Sequence, residues 1–95
     1  MEFEWDEAKS DACLAARGFD FAFAAGVFAD PALVVEVDDR RDYGEPRLVA
    51  VGVIAGLCYT VVFTPRAAKV RIISARRANR GEISRHGIGQ RPADA

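Results

Sequence analysis

The residues of this chain that are best suited to chemistry are arginines in its second half. Arg66 lies at a turn, Arg71 lies within a predicted strand, and Arg76 follows the end of that strand. A guanidinium group is planar, stays charged and donates paired hydrogen bonds, which makes arginine the side chain best suited to binding phosphate. A strand followed by a turn can gather all three on one concave surface, so the sequence predicts a phosphate-binding site.

The charge of the chain is divided between its two halves. Residues 1–46 contain 12 Asp and Glu against four Lys and Arg, and residues 47–95 contain two against nine, although the net charge is only -1. Any single arginine could simply pair with the acidic half on a solvated face. For the group we expect phosphate binding, because Arg71 stands among core-facing residues, where an unpaired charge would be costly.

Glu82 and His86 lie one turn apart on the same face of a predicted C-terminal helix. Glu82 can close a capping box with Asn79, which stabilises a helix by about 1 kcal/mol, or it can orient the arginines or transfer a proton. Histidine is the side-chain type whose ordinary pKa lies near neutrality, which suits acid–base catalysis. A single histidine on a terminal helix is nevertheless more often incidental.

Other kinds of site are not indicated by the sequence. One histidine and two separated cysteines cannot complete a zinc site, so we expect no metal and no cofactor. Cys13 and Cys58 are expected to be buried thiols in a reducing compartment. The glycines lack the spacing of a phosphate-binding loop, and the serines lack the context of a hydrolase nucleophile.

The elements that must position these residues follow an α+β order. Asp6 caps a first helix that ends at Gly18, and a second helix begins at Asp20 and ends at 30–31, before a proline. Four strands are predicted at 32–37, 47–54, 57–64 and 69–74, and a last helix follows Asn79. Short connections favour antiparallel neighbours, and the helices are expected on one sheet face.

The length of 95 residues is that of one domain, which we expect at 1–88, followed by a frayed tail at 89–95. The acidic N-terminus does not resemble a secretory signal. The longest apolar stretch, 48–63, is interrupted by two glycines and falls short of a membrane span. The expected location is the cytoplasm.

Six blocks of sequence occur in a fixed order along nearly the whole chain. They are FEWDEAK at 3–9, GFDF at 18–21, VFADP at 27–31, DYGEPR at 42–47, TPR at 64–66 and RIISAR at 71–76. Together they resemble the BrnT toxin family, over residues 3 to about 86. The Trp-Asp opening and the RIISAR block are the most specific of them.

The resemblance implies a RelE-like fold with two N-terminal helices, a four-stranded antiparallel sheet and a C-terminal helix. It also implies a type II toxin, a metal-independent ribonuclease that inhibits translation. Its expected partners are RNA and a BrnA-like ribbon-helix-helix antitoxin, with promoter DNA bound only through the antitoxin. The family's arginines correspond to Arg66, Arg71 and Arg76, and its helical glutamate to Glu82.

The chain departs from the family pattern at three places. Ala16-Arg17-Gly18 stands where Lys-His-Gly is common, Cys13 stands where asparagine is common, and His86 stands where tyrosine is common. The first departure removes a candidate proton carrier. His86 is therefore the first candidate for that role, with Lys9 and Arg17 as helpers.

The leading hypothesis is an endoribonuclease in which the 2′-hydroxyl attacks the adjacent phosphorus. Its predicted catalytic residues are Arg66, Arg71, Arg76, Glu82 and His86, and its predicted RNA-binding residues are Lys9, Arg17, Arg77 and Arg80. The alternative is a non-catalytic nucleic-acid-binding module with a degenerate toxin fold. A structural adaptor that uses the acidic half alone is a third interpretation.

Overall fold

A computed structural model describes residues 1–40 and 42–87 of the chain. Its strands are β1 (Glu2–Trp5), β2 (Val34–Val37), β3 (Leu48–Ile54), β4 (Leu57–Arg66) and β5 (Lys69–Arg77). Its α-helices are α1 (Glu7–Arg17), α2 (Phe21–Ala24) and α3 (Arg80–His86), and a 3₁₀ helix (Ala25–Ala29) continues α2. The predicted tail at 89–95 lies outside the described residues.

The sheet has five strands in the order β1-β5-β4-β3-β2. The strands β2 to β5 form the expected antiparallel meander, but β1 adds a parallel strand beside β5. The expected RelE-like architecture with four antiparallel strands is therefore wrong in strand number and pairing, although the domain is α+β. Local signals miss β1 because it is four residues long and its partner begins more than 60 residues later.

The helix α1 begins and ends where its terminal residues predict. The Asp6 carboxylate accepts hydrogen bonds from the backbone amides of Ala8 and Lys9, at 2.9 and 3.3 Å. Gly18 ends the helix in the left-handed region at φ +86°, which glycine adopts without a steric penalty. Ser10 and Cys13 are the buried residues of α1.

The second helix differs from the prediction of one helix up to 30–31. Asp20 caps it, but after Ala24 the chain tightens into the 3₁₀ helix. This helix lies directly on the sheet, since a Cβ atom at Gly52 would lie 2.8 Å from the carbonyl oxygen of Val27. Only glycine permits so close an approach of the two backbones.

The apolar core lies between the sheet and the layer formed by α1, α2 and the 3₁₀ helix. Its largest fully buried apolar side chains are Ile72, Val27 and Val61, and burying each contributes about 1.5–3 kcal/mol. The helix α3 packs against the opposite face, where Glu82 bonds Thr60. The expectation that all helices share one face is therefore wrong.

Both cysteines are buried free thiols, as the sequence predicts. Burial raises the pKa of Cys58, with smaller contributions from the charges of Asp30 and Glu82. Within the described ranges no single helix is long and apolar enough to cross a membrane. Taken together, the segments Glu7–Arg17 and Phe21–Ala29 are long and apolar enough for a membrane span, by length and composition only. A bend of 88° separates them.

Candidate functional site

The three arginines predicted to be catalytic project from the same face of the sheet, the one that contacts α3. Arg71 pairs with Thr64 in the β4–β5 register and Arg76 pairs with Thr60. Residues on a strand alternate between faces, so Arg71 and Arg76, five positions apart, would ordinarily point in opposite directions. A β-bulge leaves Ile73 without a partner on β4, and this extra residue brings both arginines to one face.

Arg76 is fixed by a bidentate ion pair with Glu82. The two nitrogen–oxygen distances are 2.7 and 2.8 Å, and the Glu82 side chain is 6% exposed. Glu82 also accepts hydrogen bonds from the Thr60 hydroxyl and from the backbone amide of Asn79, both at 2.9 Å. Asn79 caps the amide of Glu82 in return, which completes the predicted capping box.

This environment sets the charge of both partners. Burial alone would raise the pKa of Glu82, but the hydrogen bonds from Arg76, Asn79 and Thr60 outweigh it and hold that pKa at about 2. The bond from Glu82 raises the pKa of Arg76. Glu82 is therefore ionised at neutral pH and is a weak proton acceptor, while 41% of the Arg76 side chain remains exposed.

The other two arginines of this face also have carboxylate partners. Arg71 lies 2.7 Å from Glu4 on β1, and each of these side chains is about 30% exposed. Arg66 lies 3.7 Å from Glu45, in a more open pair. The acidic half of the chain thus neutralises two of the three arginines. This agrees with the alternative in which single arginines pair with acidic residues on a solvated face.

His86 lies inside the protein and is not exposed on its surface. Its side chain is 0% exposed, and its Nε2 atom lies 2.7 Å from Oδ2 of Asp30. Asp30 also accepts hydrogen bonds from the backbone amides of Ala32 and Val53. Burial would raise the pKa of Asp30, but these bonds and His86 lower it overall. The pair attaches the end of α3 to the 3₁₀ helix and the sheet.

The residues predicted to bind RNA differ from the predicted catalytic arginines in their pairing. Among residues 1–40 and 42–87, Lys9, Arg17, Arg77 and Arg80 form no ion pair. Lys9 and Arg17 lie on α1, and Arg80 begins α3. Arg77 ends β5, and its guanidinium carbon lies 5.5 Å from the centre of the Tyr59 ring.

Three depressions of the surface contain some of the predicted site residues, but Arg66, Arg71, Arg80 and His86 line none of the three. The first, the α3 groove, has a volume of about 400 Å³ and contains Arg76, Glu82 and Ser74. The second, the edge depression, measures about 490 Å³ and contains Ser74, Arg47, Lys9 and Arg17. Ser74 lines both of them, so the two adjoin at β5.

The walls of the α3 groove consist largely of paired charges. Arg85 lies 2.9 Å from Glu36, and Arg40 forms a bidentate pair with Asp38 at 2.9 and 3.0 Å. The bond from Arg40 lowers the pKa of Asp38 to about 2. The groove therefore presents ionised groups of both signs at neutral pH.

The edge depression is the more basic of the two, because its lining contains three cations and no carboxylate. Arg47 is a member that was not predicted from the sequence, since it stands alone just before β3. Its guanidinium stacks 4.0 Å from the centre of the Tyr43 ring, and its buried Nε atom has no hydrogen-bond partner among the described residues.

The third depression, the aromatic pocket, measures about 400 Å³ and lies at the turn between α1 and α2. Its aromatic residues are Phe19, Phe23 and Tyr59, with Arg17 and Arg77 at its border. The spacing of aromatic residues after Gly18 was a signal for this pocket, but Tyr59 joins them only in the folded sheet.

A small α+β domain with arginines on an open sheet face and unpaired cations at a strand edge is suited to binding a phosphate-containing polymer. A family described as "Ribonuclease toxin, BrnT, of type II toxin-antitoxin system" matches residues 5–82. The chain belongs to this family, which confirms the resemblance seen in the sequence. A search of curated proteins found no match.

Proposed function

We propose that this protein is a toxin that cleaves RNA without a metal ion, at the sheet face that presents Arg76. The single observation that supports this site best is the bidentate pair with Glu82, which fixes Arg76 while much of its side chain stays exposed. Membership of a ribonuclease toxin family supports RNA as the substrate.

In the proposed reaction the ribose 2′-oxygen attacks the adjacent phosphorus and loses its proton. The bond from phosphorus to the 5′-oxygen breaks, and that oxygen takes up a proton from solvent water. The products are a 2′,3′-cyclic phosphate and a 5′-hydroxyl end. Negative charge increases on the phosphoryl oxygens during attack, and a donor already held in place can stabilise this state by about 2.7–4 kcal/mol.

Arg66 and Arg71 assist in this proposal by exchanging their carboxylate partners for phosphate. Both pairs are partly exposed to solvent, and such pairs contribute little stability, about 0–1 kcal/mol. A phosphate that competes with Glu4 or Glu45 therefore meets a small barrier. The proposed order of importance is Arg76 first, then Arg71, then Arg66.

The roles of Glu82 and His86 follow from their partners. We assign Glu82 the positioning of Arg76, because it is ionised and fully engaged. His86 as proton carrier stays a prediction, since its ring contacts Asp30 in the interior and would reach RNA only after α3 moved. We propose that His86 positions α3 and that solvent water takes the proton.

The test is incubation of the purified protein with an mRNA in EDTA. Discrete fragments with 2′,3′-cyclic phosphate ends support the proposal. Salt-sensitive RNA binding without cleavage supports the alternative of a non-catalytic module, and a strict requirement for a divalent cation contradicts the metal-independent route. Within the described residues no three His, Cys, Asp or Glu side chains are placed to hold a metal ion.

We further propose that the toxin acts in the cytoplasm, inhibits translation and is neutralised by a BrnA-like ribbon-helix-helix antitoxin. The family description, which names a toxin–antitoxin system, supports a protein antitoxin. Co-purification with the product of the adjoining reading frame, followed by loss of RNA cleavage in the complex, tests this part. A neighbouring product that neither binds nor inhibits contradicts it.

A further inference from the structure

The aromatic pocket combines ring faces with cations in a way that the reaction above does not use. Tyr59 forms its base, and the rings of Phe19 and Phe23 meet it edge to face at centroid distances of 5.1 and 5.4 Å. Phe23 remains 41% exposed. A large apolar ring kept at the surface beside an open pocket is available to a ligand.

The border of the pocket is positively charged. Arg17 and Arg77 line it, and neither forms an ion pair with the part of the chain that the structure describes. Aromatic faces bind nucleobases by stacking, and unpaired arginines bind the phosphates on either side of them. The pocket therefore has the two chemical components of a nucleotide site.

Asp20 adds a preference among bases. Its carboxylate lines the pocket, and Oδ1 accepts a hydrogen bond from the backbone amide of Phe23 at 2.9 Å. A carboxylate accepts hydrogen bonds from exocyclic amino groups, as it does from cytosine N4. Adenine, cytosine and guanine have such groups, whereas uracil has none.

The pocket is connected to the site of the proposed cleavage. Arg17 lines both the aromatic pocket and the edge depression, and Ser74 lines both the edge depression and the α3 groove. The β1 strand pairs only with Lys69–Ile72, so the later part of β5 has no strand on that side. Arg76 and Arg77 are adjacent on β5 but project from opposite faces of the sheet, so a single strand of RNA passes around this open edge to reach both.

We propose that the aromatic pocket binds an unpaired nucleobase of the RNA substrate, close to the nucleotide that is cleaved. The base stacks on the exposed ring of Phe23, against which the buried Tyr59 packs, and an adjoining phosphate lies on Arg17 and Arg77. This inference rests on the proposed function for its ligand. It adds a site that would select the substrate by the base beside the cut.

The first experiment uses free nucleotides as probes. We expect 5′-AMP, CMP and GMP at millimolar concentration to shift the backbone amide NMR signals of Phe23, Tyr59 and Arg77, and UMP to shift them less. Phe23→Ala should abolish the shifts, and Val35→Ala, at a comparably exposed position on β2, should keep them. Pocket signals that do not move with any nucleotide overturn the proposal.

The second experiment uses RNA. Cleavage by the wild-type protein locates the cut, and a short RNA with a 2′-deoxy nucleotide there measures binding alone. We expect Phe23→Ala to weaken this binding about 5- to 150-fold. An abasic nucleotide at one position beside the cut should weaken binding of the wild type by the same factor. It should not weaken binding of Phe23→Ala any further. Arg77→Gln should also weaken binding more than Lys69→Gln, which removes the same charge at the far end of β5.

The outcomes separate the two proposals. If the protein cleaves no RNA, the proposed function fails, while the nucleotide titration still decides whether the pocket binds a base. If Phe23→Ala binds the uncleavable RNA as the wild type does, the pocket proposal fails and the cleavage proposal stands. Loss of antitoxin binding with unchanged nucleotide binding in Phe23→Ala would make the pocket a protein-docking site and overturn the inference.

Discussion

At the scale of single residues, the pairing of each arginine distinguishes its role. Arg76 has a buried, ionised partner that also caps a helix, so its orientation is fixed before any ligand arrives. Arg71 and Arg66 have partly exposed partners that a phosphate can replace. The sequence gives the three arginines the same predicted role, because they are the same residue type. Only their partners in the folded chain distinguish their roles.

Glu82 should make the protein sensitive to acid. Its pKa of about 2 lies below its ordinary value of 4.5, so its contribution to stability is complete above pH 4.5 and is lost as the pH falls toward 2. The shift corresponds to a contribution on the order of 3 kcal/mol. Glu82→Gln, which keeps the capping box, should lower the free energy of urea unfolding at pH 7 and differ less from the wild type at pH 3.

The matched control for this measurement is Glu45→Gln, whose partner Arg66 is half-exposed and more distant. We expect it to change the free energy of unfolding by less than about 1 kcal/mol. A difference between wild type and Glu82→Gln that stays constant from pH 7 to pH 3 would show that Glu82 is not stabilised as an anion.

At the scale of elements, the position of α3 depends on the buried pair of His86 and Asp30. His86→Gln should reduce the free energy of unfolding by about 1–3 kcal/mol, because it disrupts a hydrogen bond to a buried charged group. Hydrogen exchange of the α3 amides should become faster. RNA cleavage should fall with little change in the shape of its pH profile.

The pH profile distinguishes this positioning role from the predicted catalytic one. If His86 carries the proton, its replacement changes the shape of the pH profile of the cleavage rate. A loss of stability alone does not change that shape. Asp30→Asn serves as the control, since it disturbs the same attachment of α3 and leaves the histidine in place.

The sequence predicted the elements whose signals are local. Asp6, Gly18 and Asn79 fix helix ends through contacts within a few residues, and all three act as predicted. The strand β1 depends on a partner far along the chain, and the bulge at Ile73 depends on the register with β4. Neither has a local signal. The sequence could suggest that Arg71 and Arg76 share one face of the sheet, but it could not predict the bulge that brings them there.

At the scale of the whole molecule, the two halves of opposite charge are joined by ion pairs. Four of these pairs link an acidic residue of the first half to a Lys or Arg of the second: Glu45–Arg66, Glu2–Lys69, Glu4–Arg71 and Glu36–Arg85. Much of the acidic surface is thereby neutralised inside the domain. Among residues 1–40 and 42–87, the cations left without an ion pair lie mainly at the edge of β5, beside α1.

The salt dependence of RNA binding should reflect these unpaired cations. If Lys9, Arg17, Arg47 and Arg77 contact phosphates, the logarithm of the binding constant should fall with the logarithm of salt concentration with a slope of about -3. Arg17→Gln should reduce the slope by about 0.7. Filter binding of an uncleavable RNA at several salt concentrations measures both, and an unchanged slope in Arg17→Gln would remove Arg17 from the interface.

Arg76, held by Glu82, is proposed to stabilise the transition state of metal-independent RNA cleavage. The most direct measurement is the single-turnover cleavage rate in EDTA for the wild type, Arg76→Ala and the charge control Lys69→Gln. We expect a cyclic-phosphate product, a rate about 100- to 1000-fold lower for Arg76→Ala and a nearly unchanged rate for Lys69→Gln. Equal rates for wild type and Arg76→Ala would contradict this proposal.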